Sequence, residues 1–572
     1  MQDLIEAAQR WMESDPDPVT RAEAAALLAS GDEAVLREQF GARLQFGTAG
    51  IRGAMGAGPG RINRALIGQV TAGLGRYLLR VVGDAATRGV VIGFDGRHNS
   101  RQFADDAAGI LAGMGIAVLR FDEVVPTPVL AHAVTACGAA AGVMVTASHN
   151  PPADNGYKVY WGNGAQIIPP HDKGISAEID DVGGPWGVSL PPLDEVAERI
   201  RPVPAATWVD YLQRVLSWRV LPETGAVAVY TAMHGVGWES MRRVAAAAGH
   251  QPLLAVAEQR DPDGDFPTVS FPNPEEPGAL DLAYARAAAE GADLIIAHDP
   301  DADRLAVALP DAAGEGWSRL TGDEVGLLLA DTMLRHGPQD GPRMVANTIV
   351  STSLLGRLAE AHGAELAETL TGFKWIANAA LDFEGTFLVG FEEALGYSVG
   401  DVVRDKDGVS AALHILDLAS WCKARGKTLR EHLEGLYRTY GYVASAQSSI
   451  RMPGAAGQAA ITAILAKLRA APPTTLAGIP VRCVRDVLAG TATTTATGAV
   501  VRLDLPRSNV LAFDMAQGCR VLARPSGTEP KIKFYFEVII DLEEQDVLSD
   551  VAARARARIA ALKADLLAQV GL

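Results

Sequence analysis

The chain has 572 residues, 48% of them hydrophobic and 21% charged. That is too long for one hydrophobic core and too apolar for a disordered chain; at roughly 100–200 residues per domain it predicts about three to five domains. A net charge of −17, from 51 Lys plus Arg against 68 Asp plus Glu, excludes the basic face of a nucleic-acid binder and obliges any anion site to concentrate its positive charge locally.

The N-terminus, Met1-Gln2-Asp3-Leu4-Ile5-Glu6, lacks the basic and apolar regions of a signal peptide, and no uninterrupted apolar run reaches the roughly 18 residues of a membrane span. Cys137, Cys422, Cys483 and Cys519 have no zinc-ribbon or redox spacing and suit a reducing compartment. The expectation is a soluble, cytoplasmic, multidomain protein with no membrane or nucleic-acid partner. No apolar heptad stands out, so a monomer is favoured over a dimer.

Residues 46–53, Phe-Gly-Thr-Ala-Gly-Ile-Arg-Gly, are glycine-rich but lack the Gly-Lys-Ser/Thr of a nucleotide P-loop, so ATP binding is not expected. Short apolar runs at 90–94, 117–121, 226–230, 294–297 and 305–309 alternate with helix-like stretches such as 104–114 and 323–336. The alternation predicts α/β layers without saying which strands are parallel. A proline-rich stretch at 183–205, a change of pattern near Gly322 and the stretch 440–455 mark candidate boundaries. Beyond them lie a helix at 455–470, a Thr-rich loop or hairpin region at 471–500 and a terminal helix over about 546–569.

Four turns carry chemistry. At 143–158 an apolar strand runs into Thr146-Ala147-Ser148-His149-Asn150-Pro151, and Lys158 returns a cation toward the same strand end. This predicts an exposed loop serine. No G-x-S-x-G elbow surrounds it, and a dyad of Ser148 with adjacent His149 is not expected, because neighbours in an extended loop point apart. At 293–304 a strand ends in Asp299-Pro300-Asp301-Ala302-Asp303-Arg304. Carboxylates at i, i+2 and i+4 repel unless a hard cation joins them, and an oxygen-only set with open positions fits Mg²⁺. Arg304 stands ready for an anionic group beside that cation. Gly390-Phe391-Glu392-Glu393-Ala394 offers carboxylates to vicinal sugar hydroxyls; the nearby Arg404-Asp405-Lys406 is equally well an ordinary surface turn. Arg524-Pro525-Ser526-Gly527-Thr528-Glu529-Pro530-Lys531 combines hydroxyls, a Gly and flanking cations into a phosphate nest.

Together and in this order, the four motifs resemble the α-D-phosphohexomutase superfamily, across about residues 46–537. Thr369-Leu370-Thr371-Gly372-Phe373-Lys374-Trp375 and Pro272-Asn273-Pro274-Glu275-Glu276-Pro277 look most like the branch holding bacterial phosphoglucomutases and animal phosphopentomutases. The resemblance implies an α/β fold of three related α/β domains plus a smaller C-terminal α+β domain around a central cleft. The expected domains are 1–205, with the phosphoserine loop; 206–322, with the aspartate loop; 323–445, with the sugar loop; and 446–572, with the phosphate loop. It implies that Ser148 is a phosphoserine and that its oxygen joins Asp299, Asp301 and Asp303 around Mg²⁺. Lys158 matches a proton-transfer lysine, Arg52 lies in the N-terminal active-site loop, and His149 joins the catalytic candidates. Arg304, Thr371, Gly372, Lys374, Glu392, Glu393, Arg404, Lys406, Arg524, Ser526, Gly527, Thr528 and Lys531 are the candidate substrate-binding residues.

The implied reaction is phosphoglucomutase chemistry on small sugar phosphates, with glucose 1,6-bisphosphate as intermediate and activator. Lys158 is expected to have a pKa lowered by surrounding cations, and the fourth domain to move. Where many members carry Ser two places after the sugar-loop glutamate, this chain has Ala394, which puts the preferred sugar in question. The alternatives are a phosphopentomutase, a phosphomannomutase, a bisphosphate synthase, a metal-dependent phosphatase or a non-catalytic sugar-phosphate sensor.

Overall fold

The computed structural model describes residues 1–184, 188, 190–311, 316–526 and 531–572. Among them the chain builds four sheets in succession, and the first three follow one plan. The first contains β1 (Gly50–Ala54), β2 (Val90–Phe94), β3 (Val118–Arg120), β4 (Ala141–Val145), β5 (Asp154–Trp161) and β6 (Ile200–Pro202), ordered β1-β5-β4-β2-β3-β6. The second contains β7 (Ala228–Thr231), β8 (Leu254–Ala255), β9 (Leu294–Ala297), β10 (Ala306–Pro310) and β11 (Trp317–Arg319), ordered β11-β10-β9-β7-β8. The third contains β12 (Arg343–Thr348), β13 (Glu365–Thr369), β14 (Thr386–Glu392) and β15 (Gly396–Val399), ordered β13-β12-β14-β15.

Each of these sheets has a parallel centre and an antiparallel flank. β2 runs parallel to β4, β7 to β9, and β12 to β14, whereas β4–β5, β9–β10 and β14–β15 are antiparallel. The serine, aspartate and sugar motifs therefore occupy one topological position three times: the turn where the parallel centre gives way to its antiparallel neighbour. The parallel strands are buried on both faces, which is why they read as short unbroken apolar runs.

The fourth sheet is built differently. β16 (Tyr442–Arg451), β17 (Thr475–Leu476), β18 (Ile479–Asp486), β19 (Thr491–Thr494), β20 (Val500–Arg502), β21 (Leu511–Met515), β22 (Cys519–Pro525) and β23 (Lys531–Ile540) are all paired antiparallel. The helices Gly454–Ala470 and Leu548–Val570 contribute Ile461, Leu465, Leu562 and Leu566 to a core shared with Phe513, Phe534 and Phe536. The phosphate motif lies between two antiparallel strands, β22 and β23. The fold class expected from the resemblance is thus the one observed. The stretch 440–455, expected only as a boundary, contains the ten-residue strand β16. Its outer part is exposed and polar, which left no apolar run to find.

One continuous apolar cluster joins the first three sheets, running from Val91 and Tyr160 through Tyr230 and Ile296 to Phe391 and Leu416. The fourth domain keeps its own core and meets the third through a smaller cluster, in which Ile349, Val350 and Leu370 pack with Val487, Val510, Leu522 and Tyr535, and through Val443 and Ile539, which join the larger one. Polar contacts reinforce this joint. Glu537 accepts hydrogen bonds from the Ser353 amide (2.9 Å) and hydroxyl (2.6 Å), and Arg520 donates to the carbonyls of Ile349 and Ser351.

The first forty residues form the helices Gln2–Ser14, Pro18–Ser30 and Glu33–Phe40, the latter two capped by Asp17 and Asp32. Leu4, Trp11, Leu36 and Phe40 close a small core over Ala57, just beyond β1. Gly58 (φ +92°) makes the close approach possible: a Cβ there would lie 2.5 Å from the Gln39 carbonyl. Among the described residues, no helix is long and apolar enough to cross a membrane.

Candidate active site

The serine and aspartate turns meet face to face. Ser148 adopts a left-handed φ of +52°. Its amide donates to Thr146 Oγ1 (2.9 Å), whose own hydroxyl donates to Asp95 (2.6 Å) at the end of β2. Its Oγ donates to Asp299 Oδ2 at 2.7 Å and lies 3.2 Å from His149 Nδ1. Two expectations are corrected here. Ser148 is not exposed but 4% accessible, because the aspartate turn of the second domain covers it. Nor do Ser148 and His149 point apart: the turn is not extended, and its left-handed residue brings both side chains to one side. Burial, then Arg304 and Arg52, push the His149 pKa well below the ordinary imidazole range, so the ring is neutral at pH 7.

Asp299, Asp301 and Asp303 are buried, and each offers an oxygen within 4.8 Å of the others. The turn that gathers them is locked from three sides. Thr127 donates its amide (2.9 Å) to the Asp301 carbonyl and its hydroxyl (2.6 Å) to the carboxylate. His298 contacts the Gly408 carbonyl at 3.0 Å. Pro300 packs on Gly235, where a Cβ would lie 2.3 Å from the Pro300 Cα. The Oδ1 atoms of Asp301 and Asp303 are buried without a hydrogen-bond partner among the described residues. Orphaned carboxylate oxygens in an oxygen-only cluster are what a hard divalent cation fits. No other group of His, Cys, Asp or Glu side chains converges this way among the described residues.

Cations surround the three aspartates. Lys158 donates to Asp301 (2.6 Å) and Asp303 (2.9 Å), and Lys406 lies 3.1 Å from Asp303. Burial works against the Asp303 carboxylate, but Lys158, Lys406 and Arg304 outweigh it and hold its pKa below the usual range. Asp299, facing the other two carboxylates, is pushed upward by burial and by that repulsion. The expected lowering of the Lys158 pKa is reversed. Burial alone would lower it, but its nearest neighbours are Asp301 and Asp303, and the net shift is upward.

The sugar turn is stitched to the aspartate turn through the backbone. Leu305 N–H donates to the Leu395 carbonyl (3.0 Å), Arg304 bridges Gly396, and Arg304 Nη1 donates to the Ala394 carbonyl (3.0 Å). Glu392 accepts the Gly372 amide at 2.8 Å, and Thr371 Oγ1 beside it is buried without a partner among the described residues. Glu393 lies 3.3 Å from the hydroxyls of Thr348 and Ser351, and burial raises its pKa. Lys374 donates to the Thr48 carbonyl (2.8 Å), and burial brings its pKa down to about 8. Arg52 stands on β1 opposite Gly156; desolvation, then Arg304, lower its pKa. Of the pair Arg404 and Lys406, only the lysine reaches the aspartates. Arg404 turns to the Asn163 carbonyl at 2.7 Å.

In the fourth domain, Arg524 lies opposite Lys533 in the strand register, and the Ser526 amide donates to the Lys531 carbonyl at 2.8 Å. Gly527 and Thr528 fall outside the described residues. Lys533 was not anticipated, although Lys531-Ile532-Lys533 on a strand places both lysines on one face. Desolvation, then Arg524 and Lys531, lower its pKa, and Arg524 and Lys533 both favour the charged form of Glu393. Asp95, Thr127 and Asp405 were missed as well. Asp405 accepts from Tyr160 (2.7 Å) and Gln166 (2.8 Å).

Four family profiles match in sequence: phosphoglucomutase/phosphomannomutase alpha/beta/alpha domain I over residues 43–183, domain II over 206–314, domain III over 321–440, and the C-terminal domain over 454–554. The chain is 38% identical over 558 residues to a probable phosphoribomutase of Schizosaccharomyces pombe, covering 93% of both chains. It is 43% identical over 480 residues to a probable phosphomannomutase of Haemophilus influenzae, covering 83% of this chain and 93% of that one. Among solved structures it superposes with TM-score 0.68 on a putative phosphomannomutase of Thermus thermophilus, at 24% identity, over 93% of this chain and 100% of that one.

Proposed function

The chain belongs to the phosphoglucomutase/phosphomannomutase family and is an intramolecular phosphotransferase of the isomerase class; on that premise we propose that it moves a phosphoryl group between C1 and C6 of glucose phosphate, through a phosphoserine at Ser148 and glucose 1,6-bisphosphate. The observation that carries this reading is the Ser148 Oγ held 2.7 Å from Asp299 inside a ring of three buried carboxylates and four cations, Lys158, Lys406, Arg304 and Arg52.

Asp299, Asp301, Asp303 and Ser148 Oγ would hold Mg²⁺, which when bound draws charge off a transferring phosphoryl group. Arg304 and Arg52 supply fixed positive charge beside Ser148, and charge stabilisation is the larger part of phosphoryl transfer. Lys158 is the proton-transfer residue by position, on β5 opposite Met144 and bonded to Asp301 and Asp303. His149, neutral and in contact with Oγ, orients the serine. Glu392 takes the sugar hydroxyls, and the buried Thr371 hydroxyl, next in sequence to the Gly372 amide that Glu392 accepts, supplies the contact that Ala394 cannot make. Arg524, Ser526, Lys531 and the loop between them hold the phosphate that is not reacting. The bisphosphate reorients between the two half-reactions, so one distal site serves both orientations.

The domains are placed at 1–205, 206–322, 323–445 and 446–572, so that each contributes one turn. Four unpaired cysteines suit the cytoplasm, and the chain acts as a monomer on sugar phosphates. A second reading changes only the sugar. The 38% identity to a probable phosphoribomutase favours a pentose phosphate. Initial rates on glucose 1-phosphate, mannose 1-phosphate and ribose 1-phosphate decide between them. Intact-mass analysis should show one phosphoryl group that Ser148→Ala loses; a wild-type chain that turns over without ever carrying it overturns the mechanism.

A further inference from the structure

The serine turn is held by a group that none of the four motifs contains. Arg97 follows β2 in the run Phe94-Asp95-Gly96-Arg97, and its guanidinium is fully buried. It donates four hydrogen bonds, all to backbone carbonyls of the serine turn. Nη2 reaches Ser148 (2.6 Å) and Asn150 (2.5 Å); Nη1 reaches Pro151 (2.8 Å) and Asp154 (3.1 Å). Asp95 carries the counter-charge at 3.5 Å and also receives the Thr146 hydroxyl that caps the Ser148 amide. Phe266 of the second domain closes one face of the guanidinium, 4.9 Å from its carbon.

A serine in the left-handed region is strained by about 1 kcal/mol or more and keeps that conformation only where its surroundings over-determine it. Here the over-determination is specific. The carbonyl of Ser148 itself is bonded to Arg97, so the guanidinium sets the peptide plane that aims Oγ at Asp299. A planar fork with five donors can serve four carbonyls at once, and a single ammonium cannot. We propose that Arg97 is a positioning residue for phosphoryl transfer: it locks the serine turn in the reactive conformation, and through Phe266 it makes that lock depend on docking of the second domain. The inference rests on Ser148 being the phosphoryl carrier.

The test is Arg97→Lys, which keeps the charge and removes the fork. With wild-type secondary structure retained, kcat falls by about 100-fold while KM for glucose 1-phosphate stays within about 3-fold, because no substrate contact is touched. Single-turnover loss of the phosphoryl group from Ser148, followed by intact mass after mixing with glucose 6-phosphate, slows by the same factor. A purely structural role would lower the active fraction and leave the single-turnover rate constant of the remaining molecules unchanged; that result, or an unaltered kcat, overturns the proposal. Should Arg97→Lys not fold, Phe266→Leu carries the same test, with an expected loss of roughly 5- to 10-fold in the same rate constant, and an unchanged constant overturns it. A wild-type chain that never bears phosphate would sink the phosphoserine reading instead, and intact mass separates the two failures.

Discussion

The serine–aspartate centre and the fourth domain's phosphate strands balance their charges in opposite ways. At the centre, carboxylates and cations interleave: Asp301 and Asp303 share Lys158, and Asp303 also holds Lys406. At the fourth domain, like charges stand side by side and opposite ones face them across the joint with the third domain. Arg524, Lys531 and Lys533 crowd one another on β22 and β23, while Asp323, Glu393 and Glu537 crowd across the joint with the third domain. Breaking an interleaved cluster leaves a buried charge uncompensated, whereas a local excess of one sign attracts a ligand of the other. On the proposed function, the centre serves the chemistry and the fourth domain the capture.

Changes at the centre should therefore cost turnover or stability, and changes in the fourth domain should cost affinity. Ser148→Ala should lower kcat by at least about 10⁴-fold while removing the hydroxyl's hydrogen bonds to Asp299 and His149, about 1–2 kcal/mol; mutase assay and thermal melting check both halves. Asp303→Asn leaves Lys158 and Lys406 short of a buried counter-charge and should cost about 3 kcal/mol in urea unfolding; a loss as small as that of a surface substitution would mean the centre is not interleaved in the way described.

Asp323 gives a signature in pH. Burial, with Glu537 and Glu393 nearby, raises its pKa from 3.8 to about 7. The folded state thus binds this proton more tightly than the unfolded chain. Its contribution to stability is full below pH 3.8 and is lost as pH rises toward 7. Asp323→Asn should flatten that part of the stability profile, as read from unfolding midpoints between about pH 4 and pH 7. The smallest effect is at Lys533. Lys533→Met removes one of three crowded cations, so KM for sugar phosphate should rise about 10-fold, or about 1.4 kcal/mol. kcat and the melting temperature should hardly move. A kcat effect larger than the KM effect would erase the distinction between the two regions.

How much of this was legible depends on distance along the chain. The four motifs could be read because each packs a strand end, a turn and its polar groups into a short run of sequence. The contacts that hold them could not. Arg97 reaches Ser148 across 51 positions, Thr127 reaches Asp301 across 174, and Lys374 reaches Thr48 across 326. Burial was misjudged for the same reason: nothing local to Ser148 says that a turn from another domain covers it. Strand direction was open as well, because a buried run such as Val90-Val91-Ile92 looks alike in either sense. Lys533 was within reach, since strand alternation alone sets it beside Lys531.

The stitch between the aspartate and sugar turns has a mechanical consequence. One antiparallel bridge, Arg304–Gly396, with its backbone hydrogen bond from Leu305 to Leu395, ties the second domain's aspartate turn to the turn after β14 of the third. Peptide planes bonded in this way cannot slide past one another without losing that bond, so these two turns move together. The fourth domain meets the third through Ile349, Val350 and Leu370 and through Val443 and Ile539, and on the proposed function that joint is where the site opens. The amide of Leu305 is then a built-in gauge: its hydrogen exchange should stay slow while that joint works.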